Sequence, residues 1–187
     1  MRIISGNYKG KKILEPRDES TRPLKDLTKE SLLNIIQHSN KFHINLKNSN
    51  ILDLFSGVGS FGLECLSREA TSITFVENYK KVIPILKKNI LAIDCLVKST
   101  IIEKDIFKQL DFKALKPKFD IVFMDPPYKQ KFLSDLLKKI FEADIMNKGG
   151  IIIIHRHKNE TDEFIEEFNI LEKRNYGISK IIFGKFD

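Results

Sequence analysis

Cysteine is scarce in this chain, tryptophan is absent, and no long apolar run occurs. The two cysteines, Cys65 and Cys95, match no metal-ligand or redox spacing, so neither a disulfide framework nor a cysteine-based metal site is expected. No apolar run approaches the ~20 residues of a transmembrane helix, which predicts a chain without membrane contact. The first residues also lack the apolar stretch of a secretory signal, so we expect a cytoplasmic protein.

Acidic residues are fewer than basic ones, and the excess of basic residues is unevenly distributed along the chain. The chain has 32 Lys and Arg against 25 Asp and Glu, a net charge of +7. Residues 1–49 contain ten basic and five acidic residues, whereas the other 138 residues contain 22 and 20. Such a local excess is typical of a surface that binds a polyanion. A solvated basic arm would have the same composition, so charge alone does not decide between the two.

The basic quarter of the chain predicts a β-hairpin, a loop and a helix. Two short strands, 2–5 and 11–14, flank a turn that contains two glycines. A polar loop over 15–23 then leads to an amphipathic helix over 26–39. An aromatic side chain among cations is a common way to bind single-stranded nucleic acid. The predicted nucleic-acid-binding residues are Tyr8, Lys9, Lys11, Lys12, Arg17 and Arg22.

From residue 51 onward, short apolar runs alternate with helical patterns. Strands are predicted at 51–55, 72–77, 101–102, 119–125, 151–155, 170–176 and 179–186, and helices at 60–68, 79–92, 133–141 and 160–168. The last two strands are joined by a tight turn at Gly177, which makes them antiparallel. The pattern predicts an α/β fold: a Rossmann-like, doubly wound, mostly parallel seven-stranded sheet with a C-terminal antiparallel hairpin and an N-terminal hairpin and helix extension. We expect residues 1–49 to form the extension and 50–187 the main domain.

A glycine-rich loop lies between the first strand and the first helix of the alternating part. Gly57, Gly59 and Gly62 have the spacing G-x-G-x-x-G, and Glu77 ends the next strand, where a carboxylate can bind ribose hydroxyls. These features alone also fit a dinucleotide-binding dehydrogenase. Asp53, however, precedes the loop in the mouth of the site, where it would repel a pyrophosphate and attract a cationic ligand.

Four acids are predicted at the carboxyl ends of four strands: Asp53, Glu77, Asp105 and Asp125. Together they favour a cofactor with an α-amino group and a sulfonium centre, and S-adenosylmethionine is such a cofactor. Asp105 is placed to accept a hydrogen bond from the adenine amino group, with Ile106 beside the ring. The other predicted cofactor-binding residues are Phe55, Ser56, Gly57, Gly59 and Asn78.

The segment FDIVFMDPPY, residues 119–128, is a buried strand that ends in a rigid turn. An exocyclic amino group on a nucleobase is planar and a poor nucleophile, and hydrogen-bond acceptors help it to attack. The Asp125 carboxylate and the Pro126 carbonyl are two acceptors, and Tyr128 offers a stacking face worth roughly 1–3 kcal/mol per base. We therefore predict as catalytic residues Asp125, Pro126, Pro127 and Tyr128. A polar turn of purely structural origin would have a similar sequence, and a protein that only binds RNA would not need Asp125.

These segments resemble the class I S-adenosylmethionine-dependent methyltransferases. Within that superfamily the chain is similar to the RsmD-type 16S ribosomal RNA guanine-N2 methyltransferases over nearly its whole length. The matching segments are 2–6, 10–12, 21–23 and 29–30 in the extension, 53–64 and 66–68 in the cofactor region, and 125–128. Residues 24–25 and 155–157 depart from the pattern of that family.

The resemblance implies methyl transfer to the N2 amine of a guanine in 16S rRNA, within the small ribosomal subunit. A monomer is the default expectation. The same tetrapeptide also serves enzymes that methylate adenine or cytosine amino groups in RNA or DNA, and this alternative stays open. The sequence does not fix the nucleotide, the oligomeric state, or whether naked rRNA or the assembled subunit is the substrate. His155 and His157 have no third ligand nearby in sequence, so we expect no metal site, and their role stays undefined.

Overall fold

The centre of the sheet is built from apolar runs that need cover on both faces, which is the pattern of parallel strands. The computed structural model of the protein describes residues 1–16, 26–127 and 132–187. The strands are β1 (Asn50–Leu54), β2 (Ser72–Val76), β3 (Ser99–Ile102), β4 (Phe119–Met124), β5 (Met146–His157), β6 (Phe168–Tyr176) and β7 (Ser179–Phe186). The helices are α1 (Asp26–His38), α2 (Ser60–Ser67), α3 (Ile83–Ala92) and α4 (Leu133–Glu142). None of the helices in the described part of the chain is both long and apolar enough to cross a membrane.

All seven strands form one sheet, in the order β3-β2-β1-β4-β5-β7-β6. Strands β1 to β5 run parallel to one another, and β7 is antiparallel to both β5 and β6. The predicted fold class is confirmed: a mostly parallel α/β sheet that ends in an antiparallel hairpin.

Alternate residues of the central strands pack on opposite faces of the sheet. On one face, Ile51 and Phe123 belong to the apolar cluster that includes α1, α2 and α3. On the other face, Leu52 and Met124 pack with the apolar residues of α4. Successive side chains of a strand point to opposite faces, so residues two apart share a face. Asp53 and Asp125 are therefore on the same face as Ile51 and Phe123. The sheet therefore directs both acids toward the side covered by α2.

The N-terminal extension packs against α2. Arg2 and Lys12 form a single antiparallel bridge, so the predicted hairpin is present but very short. Its backbone N–H groups at Ile4 and Ser5 each donate to the Glu64 carboxylate of α2 at 2.9 Å. The buried apolar residues of the extension belong to the same cluster as those of α2. The boundary after residue 49 stays a prediction, and the two parts share one hydrophobic core.

The predicted helix over 160–168 is wrong. The chain there is irregular, and β6 already begins at Phe168. The Asp162 carboxylate is buried against the Arg156 guanidinium, with 2.8 Å between Oδ1 and Nε. Phe164 stacks on Phe168 with 5.5 Å between ring centroids. Helix propensity is a fraction of a kcal/mol per residue, so these buried contacts override it.

Helix α3 begins at Ile83 rather than at the predicted residue 79. The Glu77 carboxylate accepts hydrogen bonds from the backbone N–H groups of Asn78 and Tyr79, each at 2.8 Å. These bonds keep the chain in a turn after β2. Pro84 then lies in the first turn of the helix, where its missing N–H is tolerated.

Candidate active site

The carboxyl ends of β1 to β4 are level with one another and with Ile154 of β5, which continues for three more residues. Leu54 of β1 pairs with Val76 of β2 and with Met124 of β4. Val76 in turn pairs with Ile102 of β3, and Met124 of β4 pairs with Ile154 of β5. The order of the strands reverses between β1 and β4, which is where open α/β sheets bind ligands. The residues that come next on the five strands are Phe55, Glu77, Glu103, Asp125 and His155.

Asp53 is buried one residue before the end of β1, and only 1% of its surface is exposed. Its Oδ2 accepts a hydrogen bond from the backbone N–H of Gly62, in the first turn of α2, at 3.1 Å. Burial raises the pKa of the Asp53 carboxyl well above its usual range; the Gly62 bond opposes this shift, and the charges of Asp125 and Glu77 add to it. A cationic ligand would stabilise the charged form of this carboxyl.

The substitution Asp53→Asn tests this buried acid through stability. Because the pKa is raised in the folded state, wild-type stability falls as the pH rises from the ordinary aspartate value of about 3.9 through the folded pKa. Asparagine keeps an acceptor for Gly62 but cannot ionise. We expect the variant to gain stability relative to the wild type as the pH rises, measured by urea unfolding at a series of pH values. A difference that stays constant or shrinks would contradict this account.

The glycine-rich loop carries left-handed backbone at three positions. The φ angles are +60° at Phe55, +54° at Gly57 and +85° at Gly59. A Cβ atom on Gly59 would lie 2.6 Å from Leu86 Cδ1 and would displace that side chain of α3, and the positive φ also favours glycine there. A Cβ atom on Gly57 would meet nothing within 4 Å. The backbone at Gly57 is thus open to a ligand from this side.

The Ser56 hydroxyl is a second feature of this loop that points to a ligand. It is buried and has no hydrogen-bond partner among the described residues. Buried polar groups are nearly always hydrogen-bonded, so an orphan hydroxyl needs an explanation. Next to the open backbone of Gly57, it fits a site that a polar ligand completes.

Glu77 links the glycine-rich loop to β2. Its Oε2 accepts a hydrogen bond from the Gly57 N–H at 2.7 Å, while Oε1 accepts from the two residues that follow it in the chain. Glu77 as a whole is 9% exposed. The carboxylate therefore holds the loop in place, in addition to the ribose contact that the sequence predicts for it.

Asp105, which follows β3, and Asn78, which follows β2, are hydrogen-bonded to each other near the carboxyl ends of these strands. Asn78 Nδ2 donates to Asp105 Oδ2 at 3.1 Å, and Asp105 Oδ1 accepts from the backbone N–H of Phe107 at 2.9 Å. Ile106 is buried. A cleft of about 560 Å³ opens beside this turn, and its lining includes Phe107 and Phe132. The adenine contacts predicted for Asp105 and Ile106 remain predictions.

Asp125 stands directly after β4, and its carboxylate contacts a histidine. Asp125 Oδ1 lies 2.8 Å from Nδ1 of His155, the residue after Ile154 on β5. The Pro127 carbonyl accepts a hydrogen bond of 3.5 Å from Nη1 of Arg156. The segment over residues 125–127 is thus held from the neighbouring strand. Tyr128, the predicted stacking residue, lies outside the described residues.

Sequence reasoning missed the roles of His155 and Arg156. Both follow an apolar run, and any polar residue at the carboxyl end of a parallel strand is a site candidate. What the sequence did not provide is that β5 lies next to β4. His157 Nδ1 accepts from the Asn159 N–H at 3.3 Å. Within the described ranges, no group of three or more His, Cys, Asp or Glu residues could hold a metal ion.

The predicted nucleic-acid-binding residues of the hairpin lie on the surface, with one exception. Lys9 and Lys12 are exposed, and Lys11 is exposed while its Nζ donates to the Ala92 carbonyl at 3.2 Å. The Tyr8 ring is half-buried against the core, and its hydroxyl is 3.4 Å from Cys95 Sγ. This contact, followed by burial, raises the pKa of Tyr8. Tyr8 thus offers only part of its ring for stacking; the predicted residues Arg17 and Arg22 lie outside the described part of the chain.

Known proteins with similar sequences are methyltransferases by name. A protein called ribosomal RNA small subunit methyltransferase D from Haemophilus influenzae is 30% identical over 95% of this chain and 90% of its own length. A protein of the same name from Buchnera aphidicola subsp. Baizongia pistaciae is 29% identical over 100% of this chain and 91% of its own.

Solved structures agree with the fold. A proposed methyltransferase, yhhF, from Escherichia coli superposes with a TM-score of 0.82 at 23% identity, over 100% of this chain and 98% of the other. A proposed methylase from Haemophilus influenzae gives a TM-score of 0.76 at 27% identity, with the same coverage of both chains.

The family model described as conserved hypothetical protein 95 matches residues 1–185. The match covers nearly the whole chain, and it agrees with the similarity to proteins named ribosomal RNA small subunit methyltransferase D. This chain therefore belongs to the conserved hypothetical protein 95 family, the RsmD-type rRNA methyltransferases.

Proposed function

We propose that this protein transfers a methyl group from S-adenosylmethionine to the N2 amine of a guanine in 16S rRNA of the small ribosomal subunit. One observation carries the proposal: Asp125, followed by two prolines, stands at the end of β4 beside the buried Asp53 and the open glycine loop. A ribosomal substrate places the enzyme in the cytoplasm, and we propose that it acts there as a monomer.

The residues around the glycine loop fit the cofactor. When bound, S-adenosylmethionine supplies a methyl group on a positively charged sulfur, which is the electrophile. Asp53 provides a buried carboxyl whose charged form the cationic part would stabilise. Beside it, Ser56 provides a buried hydroxyl without a partner among the described residues, and Gly57 provides open backbone. Glu77 is proposed to bind the ribose, and Asp105, Asn78 and Ile106 the adenine.

The residues after β4 are proposed to activate the amine. A guanine drawn out of its stack would reach the strand edge, as enzymes that act on bases require. Asp125 and the Pro126 carbonyl would accept the two amino hydrogens, so the nitrogen lone pair turns toward the methyl group. The amine loses its proton readily only after transfer, so the site needs acceptors and no strong base. Positioning and fixed dipoles supply most of the rate.

The hairpin is proposed to bind the RNA backbone. Replacing Lys9, Lys11 and Lys12 together by glutamine should weaken RNA binding. It should also lower the slope of log K against log salt concentration by about 0.7 for each phosphate that the variant no longer neutralises, because fewer counterions are released. Binding of a 16S rRNA fragment at several salt concentrations measures both effects.

A matched triple substitution controls for net charge. Lys113, Lys116 and Lys148 are also exposed, and they lie toward the amino ends of β4 and β5, away from the proposed site. Their replacement by glutamine should leave the salt slope closer to that of the wild type. If both triple variants lower the slope equally, the hairpin is not the RNA-binding surface.

The proposed reaction is tested by product mapping. Unmodified small subunits, naked 16S rRNA and duplex DNA are incubated separately with methyl-labelled S-adenosylmethionine, then digested to nucleosides. The expected product is labelled N2-methylguanosine from small subunits or from 16S rRNA. Label in N6-methyladenosine or N4-methylcytidine would instead support the alternative of an adenine or cytosine amino-methyltransferase. No label in any nucleic acid would overturn the proposed function.

A further inference from the structure

We propose that His155 is a positioning residue for the reaction: it holds one oxygen of the Asp125 carboxylate so that the other oxygen faces the amine. This inference rests on the proposed role of Asp125. Nδ1 of His155 lies 2.8 Å from Asp125 Oδ1. The His155 side chain is 4% exposed and that of Asp125 is 22% exposed. The histidine is thus an inner partner, and the carboxylate is the member of the pair that a substrate can reach.

Among the described residues, the Asp125 carboxylate is held at one oxygen. An ionised carboxylate accepts hydrogen bonds and cannot donate, so opposite the ionised form Nδ1 of His155 is the donor in this contact. Among the residues that the structure describes, Asp125 Oδ2 accepts no hydrogen bond. Oδ2 therefore keeps its full capacity to accept a hydrogen from an incoming amino group. A fixed acceptor aligns that hydrogen bond before the reaction, whereas a rotating carboxylate would have to be ordered during it.

The fold makes this contact rigid. The register pairs Met124 with Ile154, so Asp125 and His155 are the next residues on two adjacent strands. Pro126 limits the backbone of Asp125, since the residue before a proline is restricted. His155 itself is paired with Ile181 of β7, and its ring is buried. Neither partner can move far without disturbing the sheet.

Arg156 holds the same segment from the other face of β5. Its guanidinium Nε lies 2.8 Å from Asp162 Oδ1, and both side chains are 2% exposed. Lys180 adds a second cation 3.0 Å from Asp162 Oδ2. From this anchored position Nη1 of Arg156 donates to the Pro127 carbonyl. Adjacent residues of one strand thus hold the carboxylate at residue 125 and the backbone at residue 127.

Three variants separate positioning from simple packing. His155→Leu removes the donor, and His155→Asn places an amide N–H near the position of Nδ1. His157→Leu makes the same change two residues along the same strand, away from Asp125. For each variant we would measure the single-turnover rate of methyl transfer at saturating cofactor, the cofactor affinity by calorimetry and the melting temperature.

We expect His155→Leu to lower the single-turnover rate by about 100-fold, the size of effect that a misplacement of about 1 Å causes. Its cofactor affinity should stay close to that of the wild type. His155→Asn should recover most of the rate, and His157→Leu should retain it. An unchanged rate in His155→Leu would overturn the inference. So would a loss in His155→Asn as large as that in His155→Leu while both variants remain folded.

Product formation by the wild type distinguishes a failure of this inference from a failure of the proposed function. If the wild type forms no labelled N2-methylguanosine, the proposed function fails regardless of the His155 variants. If the wild type forms that product and His155→Leu forms it equally fast, only the positioning role fails.

Discussion

Replacing Asp125 by alanine is expected to lower the rate of methyl transfer by about 100- to 1000-fold, the range for losing a placed electrostatic group in an active site. The substitution removes the carboxylate that is proposed to accept an amino hydrogen. It also leaves the buried Nδ1 of His155 without its 2.8 Å partner. The glycine loop and Asp53 remain, so the affinity for S-adenosylmethionine should fall far less than the rate. Single-turnover kinetics and calorimetry measure the two quantities separately.

A second acid at the same sheet edge provides the control. Glu103 follows β3, which is separated from β4 by β2 and β1. Its carboxylate forms an exposed ion pair with Lys87 at 2.6 Å. Glu103→Ala should therefore leave both the transfer rate and the cofactor affinity near the wild-type values. Near-normal turnover by Asp125→Ala would remove Asp125 from the mechanism, and with it the argument for His155.

The largest effect on stability is expected from Glu64→Ala. Glu64 is fully buried, and its two oxygens accept hydrogen bonds from the N–H groups of Ile4 and Ser5. Its carboxylate also lies 3.6 Å from Nζ of Lys29, which is fully buried as well. Removing one partner of a buried ion pair lowers the free energy of unfolding by about 3–5 kcal/mol. At roughly 2–4 °C per kcal/mol for a chain of this size, the melting temperature should fall by roughly 6–20 °C.

Two further variants identify the source of that loss. Lys29→Met should be less destabilising than Glu64→Ala, because Glu64 would keep both backbone donors and Arg68, whose Nη2 is 3.5 Å away. Glu30→Ala removes an exposed acid from α1 and should change stability by less than about 0.5 kcal/mol. If Glu64→Ala unfolds no more easily than Glu30→Ala, the buried pair does not hold the extension to α2.

Local patterns were sufficient for the fold class and for the positions of the acids. Strand β7 was predicted with the bounds that the structure has, because its alternation is clear and Gly177 marks the turn before it. The short apolar runs that contain Asp53 or precede Glu77 and Asp125 favoured strands, and the carboxyl ends of parallel strands lie at one sheet edge. The helix predicted over 160–168 was wrong, because the conformation of this segment depends on the buried ion pair between Arg156 and Asp162. No local sequence pattern indicates that pair.

The order of residues along the chain was enough to establish an α/β sheet with acids at its strand ends, because periodicity and proline positions act over a few residues. The partners of those acids depended on folding. In the folded chain, the carboxylate of Asp53 accepts a hydrogen bond from the Gly62 N–H, and that of Glu77 accepts one from the Gly57 N–H. The carboxylate of Asp125 contacts Nδ1 of His155. The last pair spans 30 positions of the chain. It exists because β5 inserts beside β4, and strand order is set by the packing of both sheet faces rather than by any local signal.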